Sequence, residues 1–307
     1  MTGERKSPLP GQVSDFDIRL LRVFKAVAEC GGFTAAEVVL GIGRPAISLH
    51  MNDLEKRLGL RLCQRGRGGF ALTEEGRHVY EASLRLFASL ETFRGEVNEL
   101  HHTLRGELNI GITDNLVSLP QMRITHSLAD LKAQAPDVAI NIHMDPPDAI
   151  AQGVLDARLH LGVVPQVNLL ASLETRFLYS ECSRLYCASR HPLFGEAAQT
   201  LDDVELRDYE AVVPGYPLPD TAREPHARLR GTATASDREG AAFLILTGSY
   251  IGYLPDHLAA PWEAMGRLRE LPVSGGYYLT PFVVITRRDR RPNRVLEAFF
   301  EVLEKNP

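Results

Sequence analysis

The sequence predicts an α/β protein with a small helical unit at its N-terminus, then a long helix, then alternating strands and helices. Three observations predict this. Residues 15–58 carry apolar side chains at helical spacing, interrupted by glycine pairs or near-pairs. Residues 74–104 contain no proline and place apolar residues in steps of three and four. From 107 to 307, strand-like and helix-like runs alternate, which predicts α/β architecture with mainly parallel sheets.

The first helix spans 15–30, with Phe16, Leu20, Phe24, Val27 and Ala28 on its apolar side. Ser14 or Asp15 caps it, and Gly31-Gly32 stops it. A short helix follows from Thr34, placed as an N-cap, to Leu40. Gly41-Ile42-Gly43 is a turn, and a third helix runs from Arg44-Pro45 to Leu58, with proline in the favoured first turn. Two strand-like pieces, 61–64 and 70–72, flank a basic glycine-rich loop at 65–69. In the third helix Ile47, Met51, Leu54 and Leu58 share one face, and Pro45, Leu49, Asn52 and Lys56 the other. A short helix with one packed face, one free face and a tight preceding turn is what a major-groove reader needs. Ser48 and Asn52 can bond base edges; Arg44, Arg65 and Arg67 can neutralise phosphates; Thr34 and nearby amides offer a helix N-terminus.

Charge supports that reading. Nine Lys/Arg and six Asp/Glu fall in 14–72, a balance of +3, so the rest of this −5 chain carries −8. A basic head on an acidic body suits DNA binding by the head. Hydrophobic residues at 44% and charged residues at 24% of 307 exclude a disordered chain and allow two or three compact units. No apolar run is long enough to span a membrane, and the first residues lack the apolar stretch of a signal peptide. Cys30, Cys63, Cys182 and Cys187 are few and irregularly spaced, as for free thiols in a reducing cytoplasm. Cys182 and Cys187, five apart on a strand, point to opposite faces, which argues against a redox pair. The histidines show no metal-ligand pattern, and there is no nucleophile elbow or phosphate-binding glycine loop, so neither metal, cofactor nor enzyme chemistry is expected. The run 287–291 (RRDRR) reads as a solvated loop.

In the long helix, which follows Thr73 and ends at Gly106, Val79, Leu86, Leu90, Phe93, Val97, Leu100 and Leu104 form a heptad seam, with Ser83 filling the first gap. Such a seam pairs helices, so a homodimer is expected through Leu86, Leu90, Phe93, Val97 and Leu100.

The body is expected to hold strands at 108–112, 138–144, 159–164, 173–179, 184–188, 211–213, 250–254 and 282–286. Helices are expected at 116–133, 147–157, 237–246 and 293–303.

The register Phe24-x-x-Val27, Gly32-Phe33-Thr34-Ala35-Ala36, Arg44-Pro45-Ala46-Ile47-Ser48, Leu54-Glu55-x-x-Leu58-Gly59-x-x-Leu62, Arg65 and Leu72-Thr73-x-x-Gly76 resembles the LysR-type transcriptional regulators. Thinner matches lie at Leu108–Gly111, Leu161-Gly162-Val163, His191-Pro192-Leu193 and Ile251–Pro255. The sequence departs from that pattern at Gly43 (usually Ser), Arg44 (usually Gln), Leu49 (commonly Arg or Gln) and Cys63 (usually Phe). A leucine at 49 suits a thymine methyl.

The resemblance implies three parts: a winged helix-turn-helix at 14–73, a dimerisation helix at 74–106, and a two-lobed body at 107–307 like periplasmic binding proteins. It also implies a small-molecule effector in the cleft between the lobes, a tetramer built from two dimers, and operator DNA and RNA polymerase as partners. In open α/β lobes, ligands bind beyond the carboxyl ends of strands. That places the effector at Thr113-Asp114-Asn115, Pro165-Gln166 and Pro214-Gly215-Tyr216. Two other readings remain: an α/β enzyme or binding protein with an accessory head, and an architectural DNA-binding protein indifferent to small molecules.

Overall fold

The structure, a computed structural model, describes residues 13–66, 69–99, 104–114, 116–195, 206–290 and 292–306, and omits the side chains of 65, 66, 69, 91, 92, 94–96, 98 and 99. The chain divides into two compact units, 1–92 and 93–307.

The first unit opens with helices α1 (Asp15–Glu29), α2 (Phe33–Leu40) and α3 (Arg44–Leu58). A two-stranded antiparallel wing follows, β1 (Cys63–Gly66) and β2 (Gly69–Leu72), and then α4 (Glu74–Glu99). Ser14 caps α1 through a reciprocal pair with Asp17. Leu20, Phe24 and Val27 of α1 meet Ile47, Met51 and Leu54 of α3 in one core, closed by Phe33, Ala36 and Leu62. Asp17 and Arg57 bind α1 to α3 by a bidentate pair, at 2.5 and 2.9 Å. The Arg57 hydrogen bond holds the Asp17 carboxyl well below the usual carboxylate range, helped by Ser14.

Three details differ from the sequence expectation. Thr34 is not the N-cap of α2. Gly32, at φ 152°, takes that place because the reversal through Gly31-Gly32 drives Phe33 into the core against Phe70. The first wing strand lies at 63–66 rather than 61–64, so Arg65 belongs to the strand and not to the loop. The described part of the long helix ends at Glu99, and Leu104 packs into the body core instead of extending the seam. Gly106 accordingly begins a strand, at φ 136°, rather than ending a helix.

In the second unit the elements are β3 (Gly106–Ile112), α5 (Arg123–Gln134), β4 (Val138–Met144), α6 (Pro147–Leu155), β5 (Leu161–Pro165), β6 (Leu173–Ala188) and β7 (Glu210–Pro214). They continue with α7 (Arg223–Ala227), β8 (Arg230–Ala235), α8 (Arg238–Leu246), β9 (Gly252–Pro255), α9 (Asp256–Ala264), β10 (Leu268–Glu270), β11 (Tyr277–Arg287) and α10 (Arg294–Lys305). One seven-stranded sheet runs β10-β6-β11-β5-β3-β4, with β9 also on β6, and β7 pairs β8 in parallel.

The two lobes share strands β6 and β11. The N-terminal half of β6 pairs with 282–287 beside β5, and its C-terminal half pairs with 277–281 beside β9 and β10. Strand β6 is therefore one sixteen-residue strand, not two separate ones. Because β6 and β11 run back and forth between the lobes, four of the six pairings in the large sheet are antiparallel, against the parallel expectation. Pairing shifts at Phe282/Val283 and leaves Leu178 opposite no residue; its carbonyl accepts from the Arg123 guanidinium. The expected helix at 116–133 is broken near Pro120 into a single 3-10 turn, Leu116–Ser118, and α5.

In the first lobe α5 and α10 cover one sheet face through Leu131, Leu296, Phe299 and Phe300, and α6 covers the other through Ile150 and Val154. Gly162 lets α6 approach the sheet: a Cβ there would lie 2.4 Å from Ile150 Cγ2. In the second lobe Leu185 and Cys187 face one core while Tyr186 and Ala188 face the other, the two-residue period of a strand buried on both sides.

Candidate nucleic-acid interface and effector cleft

Helix α3 is held from three directions. Its N-cap, Gly43, has no side chain to offer, and Glu37 of α2 replaces it by accepting from the Arg44 N–H at 2.5 Å. Ile47, Met51 and Leu54 are buried. Near its C-terminus Glu55 accepts from the Leu62 N–H at 2.8 Å and so ties the helix to the chain entering the wing. Thr73 closes the other end of the wing: its hydroxyl donates to Arg61 O and accepts from Gly76 N–H. A Cβ on Gly76 would sit 1.9 Å from Leu62 O, which gives the Thr73-x-x-Gly76 spacing its reason.

What this clamping leaves free is the opposite face of α3. Arg44, Pro45, Leu49 and Asn52 are exposed and Ser48 is half-buried. Thr34 is exposed in the first turn of α2. Arg65 lies on β1, and Arg67 falls outside the described residues.

On α4, Leu86 and Leu90 are half-buried, whereas Phe93 is 63% and Val97 39% exposed. Leu100 lies outside the described residues.

In the body, a chain of polar contacts crosses between the lobes. Asp114 follows β3, in the first lobe; its carboxylate accepts from the backbone N–H of Arg238, at the start of α8 in the second. The Arg238 guanidinium donates to Asp114 O at 3.2 Å and stands 3.2 Å from Glu181 on β6. The second Glu181 oxygen takes a bond from His257 Nε2 of α9 at 3.0 Å, and His257 Nδ1 meets the Ser118 hydroxyl of the first lobe at 2.8 Å. The Glu181 side chain is 1% exposed, so it depends on these two partners. Burial opposes the Arg238 charge, but Glu181 and Asp114 outweigh it and hold the guanidinium protonated. Its underside lies 5.2 Å from the Phe282 ring centroid.

The expected effector residues divide into two sets. Thr113 is 1% exposed, its N–H bonds Val163 O, and its hydroxyl has no hydrogen-bond partner among the described residues. Asp114 belongs to the polar chain. Burial raises the Tyr216 phenol above its ordinary pKa, with Tyr278, Asp114 and Glu181 adding to the rise and Arg238 opposing it, so the phenol lies within electrostatic reach of the same groups. Tyr278 beside it is pushed up to about 12, again chiefly by burial. Of the second set, Pro165 pairs with Phe282, Gln166 is exposed with its N–H on Pro281 O, and the Gly215 N–H following Pro214 bonds Ala235 O. Those are strand-end connections. Asn115 lies outside the described residues.

Sequence reasoning missed Arg238, Glu181, His257 and Ser118. Among the described residues no His/Cys/Asp/Glu group has a metal-binding arrangement, and no helix is long and apolar enough to cross a membrane. Cys30, Cys63, Cys182 and Cys187 form no disulfide among the described residues.

Comparison with known proteins agrees with this architecture. Residues 18–77 match the bacterial regulatory helix-turn-helix protein, lysR family, and residues 101–307 match the LysR substrate binding domain. The HTH-type transcriptional activator BauR of Pseudomonas aeruginosa is 58% identical over 298 residues, covering 97% of this chain and 98% of BauR. Full-length CbnR, solved with its target DNA, shares the fold at TM-score 0.67 and 22% identity, over 94% of this chain and 99% of CbnR. A full-length OxyR variant from Pseudomonas aeruginosa aligns at TM-score 0.60 and 18% identity, over 96% of each chain. Two family domains in order along the chain, together with a relative similar from end to end, show that this protein belongs to the LysR family of DNA-binding transcriptional regulators.

Proposed function

We propose that this regulator is an activator whose grip on operator DNA changes when a small molecule enters the body cleft. The observation that carries the effector reading is Thr113. A buried hydroxyl with no partner among the described residues, next to a polar chain that joins both lobes, is a group in want of a ligand. Thr113, Asp114 and Tyr216 hold the effector, with Asn115, Pro165, Gln166, Pro214 and Gly215 lining its entrance. Activation is proposed from the likeness to BauR, named an activator.

In the head (14–73), Ser48 and Asn52 take base edges, and Arg44, Pro45, Arg65, Arg67 and the start of α2 at Thr34 lie along phosphates. Segment 74–106, with α4 at its start, pairs two copies through Leu86, Leu90, Phe93, Val97 and Leu100, and two such dimers form a tetramer. The exposure of Phe93 and Val97 supports that pairing. RNA polymerase is the downstream partner and the cytoplasm the site of action. The protein acts by binding, not catalysis; its relatives' names as regulators support this.

The test is a footprint of the full chain on its neighbouring promoter, repeated with a panel of small metabolites and with Thr113→Val. A compound that shifts the wild-type footprint and fails on Thr113→Val is expected. A footprint unmoved by every compound would instead favour an architectural DNA-binding protein.

A further inference from the structure

The free face of α3 carries two exposed apolar residues, Pro45 and Leu49, beside the polar Asn52 and Lys56. Ile47, Met51 and Leu54 bury one side of the helix, and at roughly 3.6 residues per turn Pro45, Leu49, Asn52 and Lys56 stand diametrically opposite. Leu49 is 59% exposed there and takes no part in the head's core. Pro45, one turn earlier, is exposed as well. From these placements we infer that Leu49 is a specificity-determining residue that packs on the C5 methyl of a thymine in each operator half-site.

The chemistry admits one base. A leucine side chain neither donates nor accepts a hydrogen bond. Against the major-groove edge of guanine, adenine or cytosine it would strip water from polar atoms and replace none of their bonds. Thymine alone presents an apolar group on that edge. Ser48 and Asn52, flanking Leu49, supply the polar contacts on either side. The clamps on α3 from Glu37 and Glu55 fix the helix, so Leu49 reaches one base step rather than sweeping several. The inference rests on the proposed placement of α3 in the major groove.

The experiment uses the full-length protein and duplexes that it enriches from a random-sequence pool. Each thymine of the enriched duplex is replaced in turn by deoxyuridine, which removes the methyl and keeps the base pair. At one thymine per half-site, wild-type binding weakens about fourfold, the effect of losing one buried methyl-sized group. Leu49→Ala binds the parent duplex more weakly by about the same factor and no longer distinguishes thymine from uracil there, while its thermal midpoint stays at the wild-type value. Leu49→Met keeps the discrimination. An enriched duplex indifferent to every methyl, or a Leu49→Ala variant that retains the full methyl effect, would overturn the assignment while leaving α3 in the groove. Failure to enrich any sequence would remove the placement of α3 itself, and the assignment with it.

Discussion

Arg238 and Glu181 lie 3.2 Å apart, one at the start of a helix of the second lobe and the other on a strand that both lobes share. The guanidinium side chain is 11% exposed and the carboxylate 1%. Through Asp114 the same guanidinium reaches the first lobe. If the effector binds beside Thr113 as proposed, it would lie next to Asp114 of this junction, and that would give binding a route to the relation between the lobes.

Removing one partner of a buried pair leaves the other charge uncompensated. Arg238→Ala is expected to destabilise the body by about 3–5 kcal/mol, read from denaturant titration of the full chain. Arg238→Met combined with Glu181→Gln should recover most of that loss, because no buried charge is left alone. A single variant as stable as wild type would contradict the electrostatic account of this junction.

The pair Asp17–Arg57 makes the head sensitive to acid. The folded carboxyl titrates below its unfolded range, so its contribution is complete above about pH 4 and fades as pH falls through the folded value. Asp17→Asn should therefore lower the thermal midpoint at pH 7, and the gap to wild type should narrow steadily below about pH 4. A gap independent of pH would assign the effect to packing rather than to charge.

Pairing through α4 predicts that Leu90→Asp with Val97→Asp dissociates the protein. Two carboxylates in an apolar seam are desolvated without partners. Sedimentation velocity should show the mass falling to that of one chain, with operator affinity falling as well. Intact dimers would place the interface elsewhere.

The head was legible in the sequence because its helices are short, amphipathic and punctuated by glycine and proline. Helix α3 begins and ends where Arg44-Pro45 and Gly59 place it. Its true cap was not legible: Glu37 reaches Arg44 only through the fold, where local pattern offered just the glycine before the helix. In the body, Thr113 and Asp114 stand out in the sequence as candidates because a clear apolar strand ends just before them. Arg238 does not. The strand that precedes it, Arg230–Ala235, reads RGTATA and carries little apolar signal, so the loop before α8 did not stand out as the end of a strand. Glu181 sits where β6 crosses between lobes, and the polar stretch 180–184 between two apolar runs looks like a break until both lobes are seen to share the strand. Strand direction was likewise hidden, since parallel and antiparallel partners leave the same apolar pattern in a strand buried on both faces.

Whether α3 reads the operator is decided by Asn52→Ala. Fluorescence anisotropy of the full chain should be measured against an enriched operator and a random duplex over a range of salt. The account predicts a loss of about 1–3 kcal/mol on the operator. Affinity for the random duplex, and its salt slope, should stay at wild-type values, because no phosphate contact is removed. Equal loss on both duplexes, or no loss on the operator, would contradict it.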